Sequence, residues 1–200
     1  MSDPVVMVLC MRLPLFHKQS RRDTTALEES GRDEVYAGMA AISAEIEEAG
    51  WTTVAIDSAH VAPPWAYTVG MWITHRGADL AMFGVPADLA RDVFGVLGDR
   101  MADGWMPAPG DVVDDLGRRP LKLCRIHVSW RETSLFTFND MCHGIVRPPM
   151  LQVVWPDSEG RFPGEARGPV RARACDIQPM CWLPTEDNPP GPWAKLKGSG

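Results

Sequence analysis

Long apolar runs are missing from this 200-residue sequence. A helix needs about 20 consecutive apolar residues to cross a bilayer, and the apolar run Val5 to Met11 is far shorter. Asp3 precedes that run, its basic neighbours follow it, and no small-x-small cleavage site comes after, so it does not read as a secretory leader. No membrane partner is expected. An excess of positive charge is missing too. The net charge is −6, whereas general nucleic-acid binding calls for a basic domain, so no nucleic-acid partner is expected either. Cysteines are few, and their number is odd: Cys10, Cys124, Cys142, Cys175 and Cys181. Without regular spacing they do not form a disulfide framework, which points to a reduced, cytoplasmic protein. There is no glycine-rich dinucleotide loop, P-loop, HExxH, nucleophile-elbow pentapeptide or CxxC. Those absences remove several large enzyme classes.

What remains has the make-up of an ordinary soluble domain, 45% apolar and 23% charged. Two hundred residues suit one domain with a sizeable core, or one domain with tails. Residues 1–23 read as an N-terminal arm in which Val5 to Leu9 is a strand candidate. Val35, Met39, Ile42, Ile46 and Ala49 then fall at helical spacing. A helix over 32–49 follows, with Ser30 and Asp33 as a capping box and Gly50 as the stop.

The period next changes to two. Strands are expected at Thr52 to Ile56, within PPWAYTVGMW (63–72), and at Leu80 to Val85, with short linkers that make them antiparallel neighbours. A helix over 87–103 carries Leu89, Val93, Val96, Leu97 and Met101 on one face, and its Gly95 and Gly98 cost about 1 kcal/mol each relative to alanine. Such glycines often permit close approach of another element. Further strands are expected at 120–130 and 150–155. In WPDSEGRF, Asp157 bonds turn amides and Gly160 takes the left-handed position. Beyond 165 proline and glycine dominate, so 166–200 reads as an irregular tail that Trp182 and Trp193 could pin to the body. Gly198-Ser199-Gly200 reads as a linker remnant.

Three ideas for chemistry survive. Cys124, His127, Cys142 and His143 are metal-ligand types, but Cys124 and His127 lie three apart on an expected strand and so face opposite ways. Cys142 and His143 are adjacent, a poor chelate; no metal and no cofactor is expected, with these two the weak candidates. A nucleophilic Cys142 with His127 or His75 needs a lowered thiol pKa that nothing in the sequence supplies. The third idea is a polar pocket on the sheet. Its candidate catalytic residues are Tyr67, His127 and Asp157, and its candidate binding residues are Tyr67, Thr68, Trp72, Gln152 and Trp155. The competing account makes Tyr67 a packed ring with a satisfied hydroxyl and Gln152 a bonded or exposed amide.

The order GW..VAI, AYTVGMW, DLAMFG, helix, LQVVWPDSEGRFP resembles the bacterial and phage domain-of-unknown-function family 4262 from about Trp51 to Glu165. The matching positions are Tyr67, Thr68, Gly70, Gly84, Gln152, Trp155, Pro156, Asp157, Gly160, Phe162 and Pro163. The family's Pro-Glu-Leu is Ala78-Asp79-Leu80 here, and its Trp after Phe-Pro is Gly164. The resemblance implies a soluble domain, not a reaction.

The fold expected is a single α+β domain over 24–165, with a largely antiparallel sheet of about five strands and the two main helices on one face. The function expected is a protein- or peptide-binding or regulatory module, because eight tryptophans and a proline-rich tail favour interfaces. The alternative is a small-molecule or peptide-modifying enzyme with a Tyr/His pocket, with or without the help of a metal.

Overall fold

A computed structural model describes residues 7–9, 21–57, 62–144, 146–165, 177–189 and 191–193. The elements follow in the order β1 (Met7–Leu9), α1 (Arg21–Ala49), β2 (Thr52–Ile56), β3 (Trp65–Val69), α2 (Met71–His75), β4 (Asp79–Phe83) and α3 (Ala87–Ala102). Then come β5 (Val112–Val113), β6 (Leu121–Arg125), α4 (Val128–Arg131), a 3-10 turn (Ser134–Phe136), α5 (Thr137–His143) and β7 (Met150–Val154). All strands form one open sheet in the order β1-β2-β3-β4-β7-β6-β5. The β1–β2 and β4–β7 pairs are parallel and the other four antiparallel. The chain is therefore an α+β domain on a mostly antiparallel sheet, as its alternating apolar pattern implied.

Two expectations are corrected. The sheet has more strands than about five: five of five residues, plus edge strands of three and two residues that are too short to show a period. The two main helices do not share a face. Ile42 of α1 packs with Val54, Ile56, Tyr67 and Val69. Val93, Phe94 and Leu97 of α3 pack with Ala55, Ala66, Leu80 and Met82. These sets alternate along the strands, so they belong to opposite faces. The central strands β2, β3 and β4 are buried at every position, and a sheet apolar on both faces needs a layer on each.

Boundaries shift for local reasons. Helix α1 starts at Arg21, so Ser30 lies inside it rather than capping it. Strand β3 ends at Val69 because Gly70 turns the chain with φ of 108°, and Trp72 falls on α2. The strand expected over 120–130 stops at Arg125; His127 caps α4 by accepting the Ser129 N–H. No described helix is long and apolar enough to cross a membrane.

Candidate functional site

The AYTVG stretch sits over a sealed polar network. Tyr67, Thr68, Asp79 and Asn139 are all buried. Thr68 Oγ1 donates to Asp79 Oδ1 (3.1 Å) and accepts the Leu80 N–H (2.8 Å). The same Oδ1 accepts the Met71 N–H (3.0 Å), which Gly70 delivers by its turn. A Cβ at Gly70 would lie 2.8 Å from the Gly50 carbonyl oxygen, so only glycine fits. Asn139 donates to Asp79 Oδ2 (2.9 Å) and accepts from Arg131 Nη2 (2.7 Å), which links α5 and α4 to the carboxylate. Arg131 also donates to Asp140 and to the Pro148 carbonyl.

Tyr67, first among the expected site residues, is part of this packing. Its hydroxyl accepts the Phe138 N–H (3.3 Å) and its ring meets Phe136 edge-on. Burial drives its pKa far above the ordinary tyrosine value, which disfavours proton transfer at neutral pH. His143 Nε2 lies 3.3 Å from Asp79 Oδ2. Cys142 is half-buried; burial, with the Asp79 charge second, pushes its thiol up. Among the described residues no three His, Cys, Asp or Glu side chains gather as a metal cage.

Gln152 and Trp155 hold the C-terminal segment. The buried Gln152 amide donates to the Pro179 carbonyl (2.8 Å) and accepts the Cys181 N–H (3.0 Å), as a neighbouring strand would. Gln178 returns the device, bonding the Trp155 N–H (3.2 Å) and carbonyl (2.8 Å). Trp193 seats edge-on against Phe83 and Trp65, at 5.0 and 5.9 Å between ring centres. Asp157 closes its turn: Oδ1 accepts the Glu159 and Arg161 N–H groups and Oδ2 the Arg161 guanidinium, each at 2.9 Å. Trp72 is half-buried on α2, away from these bonds.

Of the expected catalytic and binding residues, His127 lines the open cleft over β6, a space of about 560 Å³. Its Nδ1 accepts the Ser129 N–H (3.3 Å), which leaves Nε2 as the donor of the neutral ring. Cys124 lines the same cleft. The strand period that separated it from His127 does not apply, because β6 ends between them. Burial raises the Cys124 thiol, with Lys122 opposing. The other walls are Lys122, Arg125, Phe162, Glu165 and Trp182. Lys122 Nζ lies 3.8 Å from Glu165 and 5.8 Å from the centre of the Phe162 ring. Sequence reading missed these residues as a group, since they come from loops and a tail that only the fold assembles.

The fold and this cleft define an α+β domain with helices on both faces of an open sheet and an amphipathic groove near one edge. Residues 45–169 match the family described as Domain of unknown function (DUF4262), and the chain belongs to that family. No curated protein and no solved structure matches it significantly.

Proposed function

We propose that the domain is a binding module that takes a short peptide segment of a partner protein in the cleft over β6. The composition of the cleft supports this reading. Phe162 and Trp182 offer half-buried aromatic surface, beside Lys122, Arg125, His127 and Glu165. Aromatic anchors flanked by charges of both signs are what peptide recognition uses. The alternative of a modifying enzyme has less behind it. Tyr67 is sealed elsewhere, and the thiol in the cleft is raised rather than activated. A cytoplasmic setting is part of the same proposal; the described cysteines Cys124, Cys142 and Cys181 are unpaired, as a reducing compartment keeps them.

The test is selection of displayed random peptides on the purified protein, with affinities of synthetic hits measured by calorimetry. Trp182→Ala is expected to weaken every cleft-binding hit at least tenfold while leaving the circular dichroism spectrum unchanged, a loss of about 1.4 kcal/mol or more. If no peptide is enriched, or if hits bind the variant equally well, the cleft is not a peptide site.

A further inference from the structure

A second cavity lies on the opposite face of the sheet, between α3 and the loop entering β6, with a volume of about 410 Å³. Its floor is the buried apolar set Met82, Val85, Val93 and Leu121. Leu89 forms one wall and remains 48% exposed. A leucine left half in water beside an apolar floor is surface that a hydrocarbon would cover with gain, about 25 cal/mol per Å².

The mouth differs in character. Arg118 and Arg119 line it and are both exposed, and no carboxylate lines the cavity. Arg119 donates to the Asp157 and Ser158 carbonyl oxygens, which fix the guanidinium without neutralising it. Of the carboxylates on the neighbouring segments, Asp157 pairs with Arg161, Asp115 with Arg100 and Asp88 with Arg91. Among the described residues neither Arg118 nor Arg119 is in an ion pair, so two cations sit at the lip of an apolar pocket in a chain whose net charge is −6.

We infer that this cavity binds a small amphiphilic carboxylate, its alkyl chain against Leu89 and the floor and its headgroup at Arg118 and Arg119. A volume of about 410 Å³ falls within the range of small-molecule sites, about 300–1,000 Å³, and suits a chain of about ten carbons with its carboxyl. The size and the single polar end match small-molecule sites, which are mostly apolar with few orienting polar groups.

The probe is decanoate, titrated calorimetrically below its micelle range, with decyltrimethylammonium as the cationic chain of equal length. Saturable 1:1 binding of decanoate is expected, with the cationic chain at least tenfold weaker. Leu89→Asp is expected to abolish the binding. Arg118→Glu is expected to weaken it about tenfold, as loss of a charge-assisted contact implies. Both positions are exposed, so neither substitution threatens the fold. Trp182→Ala, in the cleft on the other face, is expected to leave decanoate binding unchanged. Absence of saturable binding up to about 1 mM, a micromolar-to-millimolar range typical of weak ligands, overturns the proposal. So does equal affinity for the two chains, or affinity that survives both Leu89→Asp and Arg118→Glu.

Discussion

Asp157 shows how a residue that reads as chemistry turns out to hold a turn. Its carboxylate accepts the Arg161 and Glu159 backbone N–H groups and the Arg161 guanidinium. The Arg161 N–H first, and then its side chain, hold the pKa below the usual carboxylate range. A folded-state pKa below the unfolded value, about 3.9, means that the folded protein binds the proton less readily. The resulting stability is fully present above the unfolded pKa and is lost as pH falls through the folded one. Asp157→Asn keeps one acceptor oxygen and loses the charge. It is expected to be less stable than the parent at pH 7, and the difference should close as pH falls below the unfolded value, about 3.9, and through the lower folded one. Urea unfolding of both proteins at pH 7 and pH 3 measures this. A gap of equal size at both pH values would mean that the side chain works by shape and not by charge.

At the scale of the element, α3 separates two glycines that look equivalent in sequence. A Cβ at Gly95 meets nothing within 4 Å, whereas one at Gly98 would lie 2.9 Å from Cζ2 of the Trp51 indole and 3.3 Å from the Met71 methyl. Gly95→Ala is therefore expected to stabilise by about 1 kcal/mol through helix propensity alone. Gly98→Ala gains the same term but must displace a packed indole, and overpacking costs about 1–3 kcal/mol. Urea midpoints of opposite shift are expected; stabilisation by both would show that Trp51 yields freely. The expectation that a glycine lets an element approach closely thus holds for Gly98 and not for Gly95. Periodicity located β2, β3, β4, β7 and α3 because their apolar spacing is regular over five residues or more. It overran at Gly70 and Arg125, where a left-handed glycine and a helix cap end strands whose alternation continues on paper. It could not tell which face α1 covers, because Val54 and Ala55 are both apolar and either could face a helix. The cleft was the least legible feature. His127 stood out as a titratable group, but Phe162, Glu165 and Trp182 meet Lys122 only through the turn after β7 and the return of the C-terminal segment.

At the scale of the whole molecule, the family match and the folded body end in different places. The match stops at residue 169, yet residues 177–193 complete the face of the sheet that carries α1. A Cβ at Gly84 would lie 2.6 Å from the Ile177 carbonyl oxygen. Cys181 accepts the His127 N–H (2.7 Å), and the Leu183 carbonyl accepts the Trp130 indole N–H (2.8 Å). Without this segment the fully buried Gln152 amide loses both its partners, which costs about 1–3 kcal/mol if it stays buried. Trp65 and Phe83 would lose the Trp193 ring, and deleting a buried indole costs about 3–5 kcal/mol. Together these approach or exceed half the stability of a typical domain, about 5–15 kcal/mol. A chain ended after residue 169 is therefore expected to lose its near-ultraviolet circular dichroism and its cooperative urea transition. Trp193→Ala in the full chain should stay folded with a lowered midpoint. If the shortened chain unfolds at the same urea concentration as the parent, the segment is an appendage, and the cleft that Trp182 helps to form can be built without it. If it unfolds earlier, the recognition surface and the stability of the sheet depend on the same seventeen-residue stretch, Ile177 to Trp193, and any partner that loosens one must loosen the other.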